Sequence, residues 1–319
     1  MATTGSARRL RFITADVFTS AVFSGNQLAV VFGAEGLPTE TLQHIATEFN
    51  YSETAFVFAP EDPAHTRRVR IFTPANELPF AGHPTVGTAH VLVAIGEVPA
   101  SGDDFTVVLG EGVGPVPVRI TMRDGVPVTA QLTAAMLPEE RDDVPGIEQL
   151  AEVLSLSPAD FTGGSHAPMG VSCGIPWLLV PLQSVDAVQR ARVKMDAYDR
   201  FLRGRWATEI MVFAMSRDAD ESKLPQHVRN CDVRARVFVP GMSIPEDPAT
   251  GSAGVCLAGY LAKRTPRAGM LRWEVAQGVE MGRPSRLSIE AEKRGGEITA
   301  VRVGGSTVLV SEGTMRVSV

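Results

Sequence analysis

Two similar segments of the sequence combine residue types that could bind and transform a small acid. The first, at 83–89, reads His-Pro-Thr-Val-Gly-Thr-Ala, and the second, at 247–253, reads Asp-Pro-Ala-Thr-Gly-Ser-Ala. A similar strand-like stretch precedes each segment, at 70–74 and 236–240, and an apolar run typical of a helix follows each. The repeated pattern indicates an internal duplication on the scale of half the chain.

Each segment places a proline in the expected first turn of a helix, where the missing N–H is not needed. Small residues follow, and a helix start with poorly shielded N–H groups binds carboxylate or phosphate oxygens. We therefore predict anion-binding backbone at Gly87 and Thr88 in the first segment, and at Gly251 and Ser252 in the second. The alternative is a pair of plain helix caps, since Asp247 alone would be an ordinary N-cap residue.

Glu53 is a third candidate, in the stretch Asn-Tyr-Ser-Glu-Thr-Ala-Phe at 50–56. It stands at the start of an apolar strand-like run and is flanked by the hydroxyl groups of Ser52 and Thr54. If the strand points Glu53 inward, partial burial raises its pKa and makes it a general acid or base near neutral pH. The alternative is a solvated glutamate at the end of a strand.

The elements around these candidates indicate an α+β protein that is rich in strands and contains few helices. The periodicity predicts a helix at 38–50 that ends on a left-handed Asn50, and further helices at 84–95 and 248–263. The last two are apolar nearly all round, which is typical of buried helices. We expect each to run through the middle of its own domain, with only its start reaching a cleft.

The length of 319 residues suggests two domains. The acidic, proline-containing segment 137–146 is the best boundary, which predicts an N-terminal domain at 1–136 and a C-terminal domain at 137–319. Whether the last strands return to the first domain stays open at this point.

Composition and charge narrow the classes of function. A net charge of −6 argues against general affinity for nucleic acid, and no run of apolar residues is long enough for a membrane span. Cys173, Cys231 and Cys256 are scattered, and the six histidines show no metal-ligand spacing. We therefore expect no metal, no cofactor and no nucleotide, and a location in a reducing cytoplasm without a secretory signal.

The sequence resembles the PhzF-like (phenazine biosynthesis) family, which shares the diaminopimelate epimerase fold. Long, ordered stretches spread over most of the chain carry this resemblance. They lie at 16–19, 24–30, 48–54, 70–84, 246–253, 277–278 and 281–285.

The resemblance implies two similar domains, each a barrel-like, mostly antiparallel sheet around a central helix, with the active site in the cleft between them. It implies that the acid/base falls on Glu53 and that His83 and Asp247 line the same site. We therefore expect all three to be catalytic, with His83 and Asp247 orienting polar groups of the substrate and assisting proton transfer. It also implies a small carboxylic acid as substrate and a homodimer. Together with the motif analysis, the candidates for substrate binding are Ser52, Gly82, Gly87, Thr88, Thr250, Gly251 and Ser252.

Epimerases of this fold use two cysteines at these helix starts, one on each face of the substrate, and the motifs here contain none. A single carboxylate moves a proton along one face, which suits a double-bond isomerisation such as that of trans-2,3-dihydro-3-hydroxyanthranilate in the namesake enzymes. Three alternatives stay open: an isomerase of another unsaturated cyclic amino-acid precursor in an antibiotic pathway, an amino-acid epimerase or racemase, and a non-catalytic protein that binds a small acid or a protein partner.

Overall fold

The computed structural model describes residues 7–216, 220–242 and 244–318. Over these residues the chain forms strands and a smaller number of helices, which confirms the α+β class. Most strand pairs are antiparallel, and helices or loops connect the few parallel pairs.

The chain divides into two compact units. Unit 1 comprises Met1–Leu132 together with Gly304–Val319, and unit 2 comprises Thr133–Val303. These units differ from the two sequence ranges chiefly by the last strand, which belongs with unit 1. The physical reason is backbone pairing, because residues 307–318 pair with the first strand along its whole length.

Unit 1 contains eight strands and two helices before the chain passes into unit 2. These elements are β1 (Ala7–Val17), β2 (Asn26–Phe32), α1 (Thr39–Phe49), β3 (Glu53–Phe58), β4 (Arg67–Phe72), β5 (Glu77–Leu78), α2 (Gly82–Ala94), β6 (Asp104–Glu111), β7 (Gly114–Arg123) and β8 (Val126–Thr133).

Unit 2 follows with nine strands and four α-helices, and a final strand then returns to unit 1. These elements are β9 (Glu139–Arg141), α3 (Ile147–Leu154), β10 (Met169–Ser172), β11 (Pro176–Pro181), α4 (Val185–Arg190), α5 (Met195–Phe201), β12 (Glu209–Met215), β13 (Val233–Val239), β14 (Ile244–Asp247), α6 (Gly251–Lys263), β15 (Gly269–Gln277), β16 (Ser285–Arg294), β17 (Glu297–Gly305) and β18 (Thr307–Ser318).

The same order of strand pairings occurs in both units. In unit 1, β2 pairs parallel with β3, β3 antiparallel with β4, β4 antiparallel with β5 and parallel with β6, and β6 antiparallel with β7. In unit 2, β11 to β16 repeat these five relations in the same sequence. The structure therefore confirms the internal duplication.

One helix lies at the centre of each unit. Every residue of α2 from His83 to Val93 is buried, and the helix packs on β1, β2, β3, β6, β7 and β18. In unit 2, α6 is buried from Ala253 to Ala262 and packs on β10, β11, β15 and β16. The all-round apolar pattern predicted this burial, and the structure confirms it.

The outer helices have the amphipathic character that surface helices need. In α1 the buried residues are Leu42, Ile45 and Ala46, and the helix ends at Asn50 with a φ of 53°. The predicted left-handed cap is therefore confirmed, since asparagine tolerates this conformation better than most residues. In unit 2, α3, α4 and α5 cover a second apolar core.

Candidate active site

Glu53 and His83 lie side by side in unit 1. Glu53 is the first residue of β3, and its side chain is 17% exposed. Its Oε2 atom is 3.5 Å from Nε2 of His83, which is the second residue of α2. The partial burial predicted for Glu53 is confirmed, so the carboxyl group is not a freely solvated strand end.

His83 is a buried, neutral imidazole. Burial lowers the pKa of His83 to about 3, although a hydrogen bond to the Gln27 backbone acts in the opposite direction. Its Nε2 atom is 3.2 Å from the Gln27 carbonyl oxygen, and its Nδ1 atom is 3.3 Å from the side-chain amide nitrogen (Nδ2) of Asn26. These partners assign the proton to Nε2, where it faces both Gln27 and Glu53.

Asn26 and Ser52 continue this arrangement behind the imidazole. The Ser52 hydroxyl donates to Oδ1 of Asn26 at 3.0 Å, and Asn26 is 1% exposed. A chain of donors thus runs from Ser52 through Asn26 and His83 to the Gln27 carbonyl, and it fixes the ring orientation. Sequence reasoning missed the role of Asn26, although the Ser-Gly-Asn-Gln stretch that contains it carried the family resemblance.

The start of α2 differs from the prediction. The helix begins at Gly82, and its N-cap residue, Ala81, provides no side-chain cap. The free amides of a helix belong to its first turn. Gly87 and Thr88 are the sixth and seventh residues, so their amides bond within the helix and cannot hold a carboxylate. Gly82 is the first residue of the helix, so it stays a candidate for binding an anion through its backbone amide.

Gly87 instead has a packing role. A Cβ atom at this position would lie 2.5 Å from the Val17 side chain and 2.7 Å from that of Leu28. Thr88 is fully buried as well. The expectation that Gly87 and Thr88 present free amides at the start of α2 is therefore wrong, because the helix begins five residues before Gly87.

In unit 2 the start of α6 is also displaced from the prediction. Asp247 ends β14, the N-cap residue of α6 is Thr250, and the helix begins at Gly251 rather than at Pro248. Pro248 is therefore not in the first helical turn, and Asp247 is not the N-cap residue. Gly251 and Ser252 are the first two helical residues, where free amides are expected.

A buried hydrogen-bond network holds this segment. The Thr250 hydroxyl donates to a carboxylate oxygen of Asp247. The Gln277 side-chain amide donates to the Thr250 hydroxyl at 3.0 Å and to the Asp247 carbonyl at 2.8 Å, and its Oε1 accepts from the Thr250 amide at 3.3 Å. Gln277 is fully buried at the end of β15. Its role was missed in the sequence, although the Gln-Gly pair was part of the resemblance.

The two units can be aligned through their parallel strand pairs. Arg67 lies opposite Leu109 in unit 1, and Val233 lies opposite Val275 in unit 2. Two positions after these partners stand Glu111 and Gln277, each at the end of its strand. Glu111 in unit 1 is thus the counterpart of Gln277.

Steric contacts give the same alignment. A Cβ atom on Gly112 would lie 2.8 Å from the Pro79 backbone, and one on Gly278 would lie 2.6 Å from the Pro248 backbone. Pro79 and Pro248 each stand three residues before the first residue of the helix.

It follows that the start of α2 matches the start of α6, so His83 corresponds to Ser252. The motif comparison that matched His83 with Asp247 is therefore shifted by five positions, since it would place Gly82 on Glu246 rather than on Gly251.

Glu111, in the last position of β6, contacts Thr85 of α2. The Thr85 hydroxyl is 2.8 Å from its Oε1 and 2.7 Å from the Ala81 carbonyl oxygen. Burial raises the pKa of Glu111 to about 8, although the Thr85 hydrogen bond lowers it. Near neutral pH the group is therefore mostly a carboxylic acid, which resembles the neutral amide of Gln277.

A cavity of about 520 Å³ lies in unit 1, with Arg70, Glu77 and Glu111 among its lining residues. Glu53 and His83 do not line it. Arg70 is ion-paired with Glu77 at 2.6 Å, so the arginine is already neutralised by the protein.

The described ranges 7–216, 220–242 and 244–318 contain no group of three or more His, Cys, Asp or Glu side chains that could hold a metal ion. No helix within them has the length and hydropathy needed to cross a membrane.

Comparison with known proteins defines the class. A sequence model for the family described as phenazine biosynthesis-like protein matches residues 15–313. The chain belongs to this family, as the motifs predicted.

The curated relatives point to one type of activity. An uncharacterised isomerase of Mesorhizobium japonicum is 36% identical over 95% of this chain and 98% of its own length. The trans-2,3-dihydro-3-hydroxyanthranilate isomerase of Pseudomonas aeruginosa is 33% identical over the same shares of the two chains. The chain is therefore a PhzF-like isomerase.

Solved structures confirm the fold. The PhzF-family protein of Bacillus anthracis superimposes with a TM-score of 0.83 at 23% identity, over 97% of this chain and 99% of that one. A hydroxyproline epimerase from Agrobacterium vitis superimposes with a TM-score of 0.60 at 11% identity, over 99% and 94%. These likenesses show the diaminopimelate epimerase-like fold and no more than the fold.

Proposed function

We propose that this protein moves a proton and a double bond within a small unsaturated cyclic carboxylic acid, with Glu53 as the only acid/base and no cofactor. Trans-2,3-dihydro-3-hydroxyanthranilate is the first substrate to test, because the Pseudomonas aeruginosa relative is named for it. The observation that carries the proposal is the half-buried Glu53 carboxyl beside the neutral His83 imidazole, 3.5 Å apart. We also propose that the protein works as a homodimer in the cytoplasm, in a secondary-metabolite pathway.

The reaction follows from what one carboxylate can do. Glu53 takes a proton from an acidic C–H bond, and the electron pair spreads through the adjacent double bond into the substrate carboxyl group. The protonated Glu53 then returns the same proton to a remote carbon of this conjugated system, and the double bond is shifted. Proton and electron pair are both conserved, so the reaction needs no oxidant or reductant.

His83 acts in this proposal through Glu53. With a pKa near 3, the imidazole stays neutral near neutral pH and takes up no second proton. Its Nε2–H instead faces the carboxylate and favours the ionised form from which catalysis begins. Ser52 and Asn26 support the ring from behind, so they are positioning residues.

The helix starts supply the groups that hold the substrate. We propose that the free amides at Gly82 and at Gly251 and Ser252 bind carboxylate oxygens, because helix N-termini favour anions. Asp247, together with Thr250, is proposed to orient a polar substituent of the substrate, such as an amino or hydroxyl group.

A racemase or epimerase is a second candidate with less support. Such enzymes need one proton-transfer group on each face of the α-carbon. The helix starts of this chain present His83 and Ser252 at equivalent positions, and neither is an acid/base like a thiol near neutral pH.

The test is proton exchange in deuterated water. The purified protein is incubated with a panel of unsaturated cyclic acids that includes trans-2,3-dihydro-3-hydroxyanthranilate, and NMR follows double-bond position and deuterium content. We expect isomerisation by the wild type and none by Glu53→Gln, with ligand binding retained. Wild-type rates in Glu53→Gln would overturn the single-base proposal, whereas loss of optical rotation without a double-bond shift would favour the racemase.

The dimer is tested separately by light scattering of the purified chain. A mass of twice 34.1 kDa is expected, and a monomer at working concentration would refute it.

A further inference from the structure

Two of the three cysteines are in contact within unit 2. Cys173 is the first residue of the short turn 173–175 that joins β10 to β11, and Cys256 is the sixth residue of α6. The Cys256 thiol contacts the side chain and the backbone of Cys173 and is 3.8 Å from the Ile175 carbonyl oxygen. The turn contains Gly174 at a φ of 121°, a conformation that favours glycine.

The two thiols differ in their access to solvent. Cys173 is partly exposed, whereas Cys256 is fully buried. Burial and the adjacent Cys173 thiol raise the Cys256 pKa well above its ordinary value, so Cys256 is a protonated thiol near neutral pH. An oxidant from solvent therefore reaches Cys173 first, and Cys256 is the neighbour that can resolve the oxidised sulfur.

We propose that Cys173 and Cys256 are an oxidation-sensitive pair that closes to a disulfide when the protein meets a peroxide. Hydrogen peroxide converts the Cys173 thiol to a sulfenic acid and releases one water. The Cys256 sulfur then attacks the Cys173 sulfur, the S–S bond forms as the S–O bond breaks, and the departing hydroxide takes the Cys256 proton to become a second water. The two thiols lose two electrons, which reduce the peroxide.

Cys256 of this pair lies close in sequence to the start of α6, where Gly251 and Ser252 are proposed to bind the substrate. Ser252 stands four residues before Cys256, so both lie on the same face of α6, one turn apart. A disulfide would tie the β10–β11 turn to this face. We therefore expect oxidation to weaken substrate turnover at least fivefold, an effect that rests on the proposed function, whereas the disulfide itself does not.

The experiment reads the bond directly. The purified full chain is treated with hydrogen peroxide, its remaining thiols are alkylated under denaturing conditions, and the unreduced digest is analysed by mass spectrometry. We expect a peptide pair linked through Cys173 and Cys256, with Cys231 alkylated and the link reversed by dithiothreitol. Recovery of Cys173 and Cys256 as separate alkylated or sulfinic peptides, or a link to Cys231, would overturn the proposal.

Three variants complete the test. Cys173→Ser, at a partly exposed turn, and Cys256→Ala should each abolish the linked peptide, whereas the matched control Cys231→Ala should retain it. In the turnover assay, peroxide should inhibit the wild type and Cys231→Ala but not Cys173→Ser. A disulfide without inhibition would refute the link to the binding segment alone. Absence of turnover with every acid would count against the proposed function and leave the peptide result standing.

Discussion

The starts of α2 and α6 share one scaffold and carry different side chains. Both helices have 13 residues, begin with glycine, and begin five residues after a glutamate that is bidentately bound to an arginine of the preceding strand. At the second helical position, unit 1 has the buried His83, which faces Glu53, and unit 2 has the partly exposed Ser252.

The hydrogen bonds around the start of α2 also differ from those around the start of α6. In unit 1 a chain of hydrogen bonds from Ser52 orients an imidazole toward a carboxyl group. In unit 2, Gln277 holds Asp247 and Thr250 in a buried hydrogen-bond network. The comparison teaches that duplication preserved the strand–loop–helix frame, while the side chains at the helix start diverged to a buried imidazole beside a carboxyl group in one unit and to a partly exposed serine in the other.

The arginine–glutamate pairs that precede the two helices, Arg70–Glu77 and Arg236–Glu246, also differ in burial. The Arg236 and Glu246 side chains are 4% and 14% exposed, and Arg236 also donates to three backbone carbonyls of the α4 region. Arg70 and Glu77 are 19% and 37% exposed. In both units the arginine stacks on a phenylalanine two residues on, with its Cζ atom 5.1 Å from one ring centroid and 4.8 Å from the other.

The largest expected effect separates the role proposed for unit 1, proton transfer, from the role proposed for unit 2, orientation of the substrate. Glu53→Gln should lower kcat by about 10³-fold or more with little change in KM, because it removes the group proposed as the only acid/base. Asp247→Asn should act mainly on KM, by about tenfold, because it alters a group proposed to orient the substrate. Steady-state kinetics on the substrate found by the exchange assay measures both. Equal losses of kcat in the two variants would break the division of labour.

The second expected effect concerns stability. Glu246→Gln should destabilise the protein by about 3–5 kcal/mol, because it leaves the buried Arg236 without its counter-charge. The matched change Glu77→Gln should cost about 1 kcal/mol or less, because water reaches that pair. Urea unfolding of the two variants beside the wild type measures the difference. A larger loss for Glu77→Gln would show that the two pairs do not follow their burial.

The features of the two units that the sequence predicted are those determined by local residue patterns. Apolar residues on every face predicted two buried helices, and the paired glycine-containing segments predicted a duplication. The local pattern left Glu53 open between a solvated strand end and an acid/base, and it was the family resemblance that singled it out.

The elements that were missed depend on pairing between distant residues. The parallel register of β4 with β6 and of β13 with β15 decides that Glu111 matches Gln277, and no single segment contains that information. For the same reason the sequence left open the return of β18 to β1, a pairing of residues about 300 positions apart. The start of α6 was placed three residues early because proline suggested a first turn that the structure places at Gly251.

The third expected effect uses the structural correspondence between Glu111 in unit 1 and Gln277 in unit 2. The folded protein holds the Glu111 proton up to a pKa of about 8, whereas the ordinary value is 4.5. Between these values the unfolded chain has released the proton and the folded chain has not, so stability falls as pH rises, with a slope of up to about 1.4 kcal/mol per pH unit.

Glu111→Gln makes unit 1 resemble unit 2 and removes this slope. Thermal unfolding from pH 4.5 to pH 8.5 should show the variant gaining on the wild type as pH rises. Parallel curves for the two proteins would mean that Glu111 ionises normally in the folded state.

The smallest expected effect at neutral pH is that of the His83 proton, which appears only in acid. Burial holds the pKa of His83 near 3 in the folded protein, against an ordinary value of 6.5. Below pH 6.5 the unfolded chain binds a proton that the folded chain does not, so stability falls as pH falls toward 3. His83→Asn removes this contribution, whereas His90, whose pKa burial lowers to about 4, contributes in both proteins. The acid limb of the stability curve should therefore be shallower in His83→Asn than in the wild type. If the acid parts of the two stability curves were identical, the imidazole beside Glu53 would be charged in the folded protein. The contrast between the histidine of unit 1 and the serine of unit 2 would then need a physical basis other than a neutral, oriented ring.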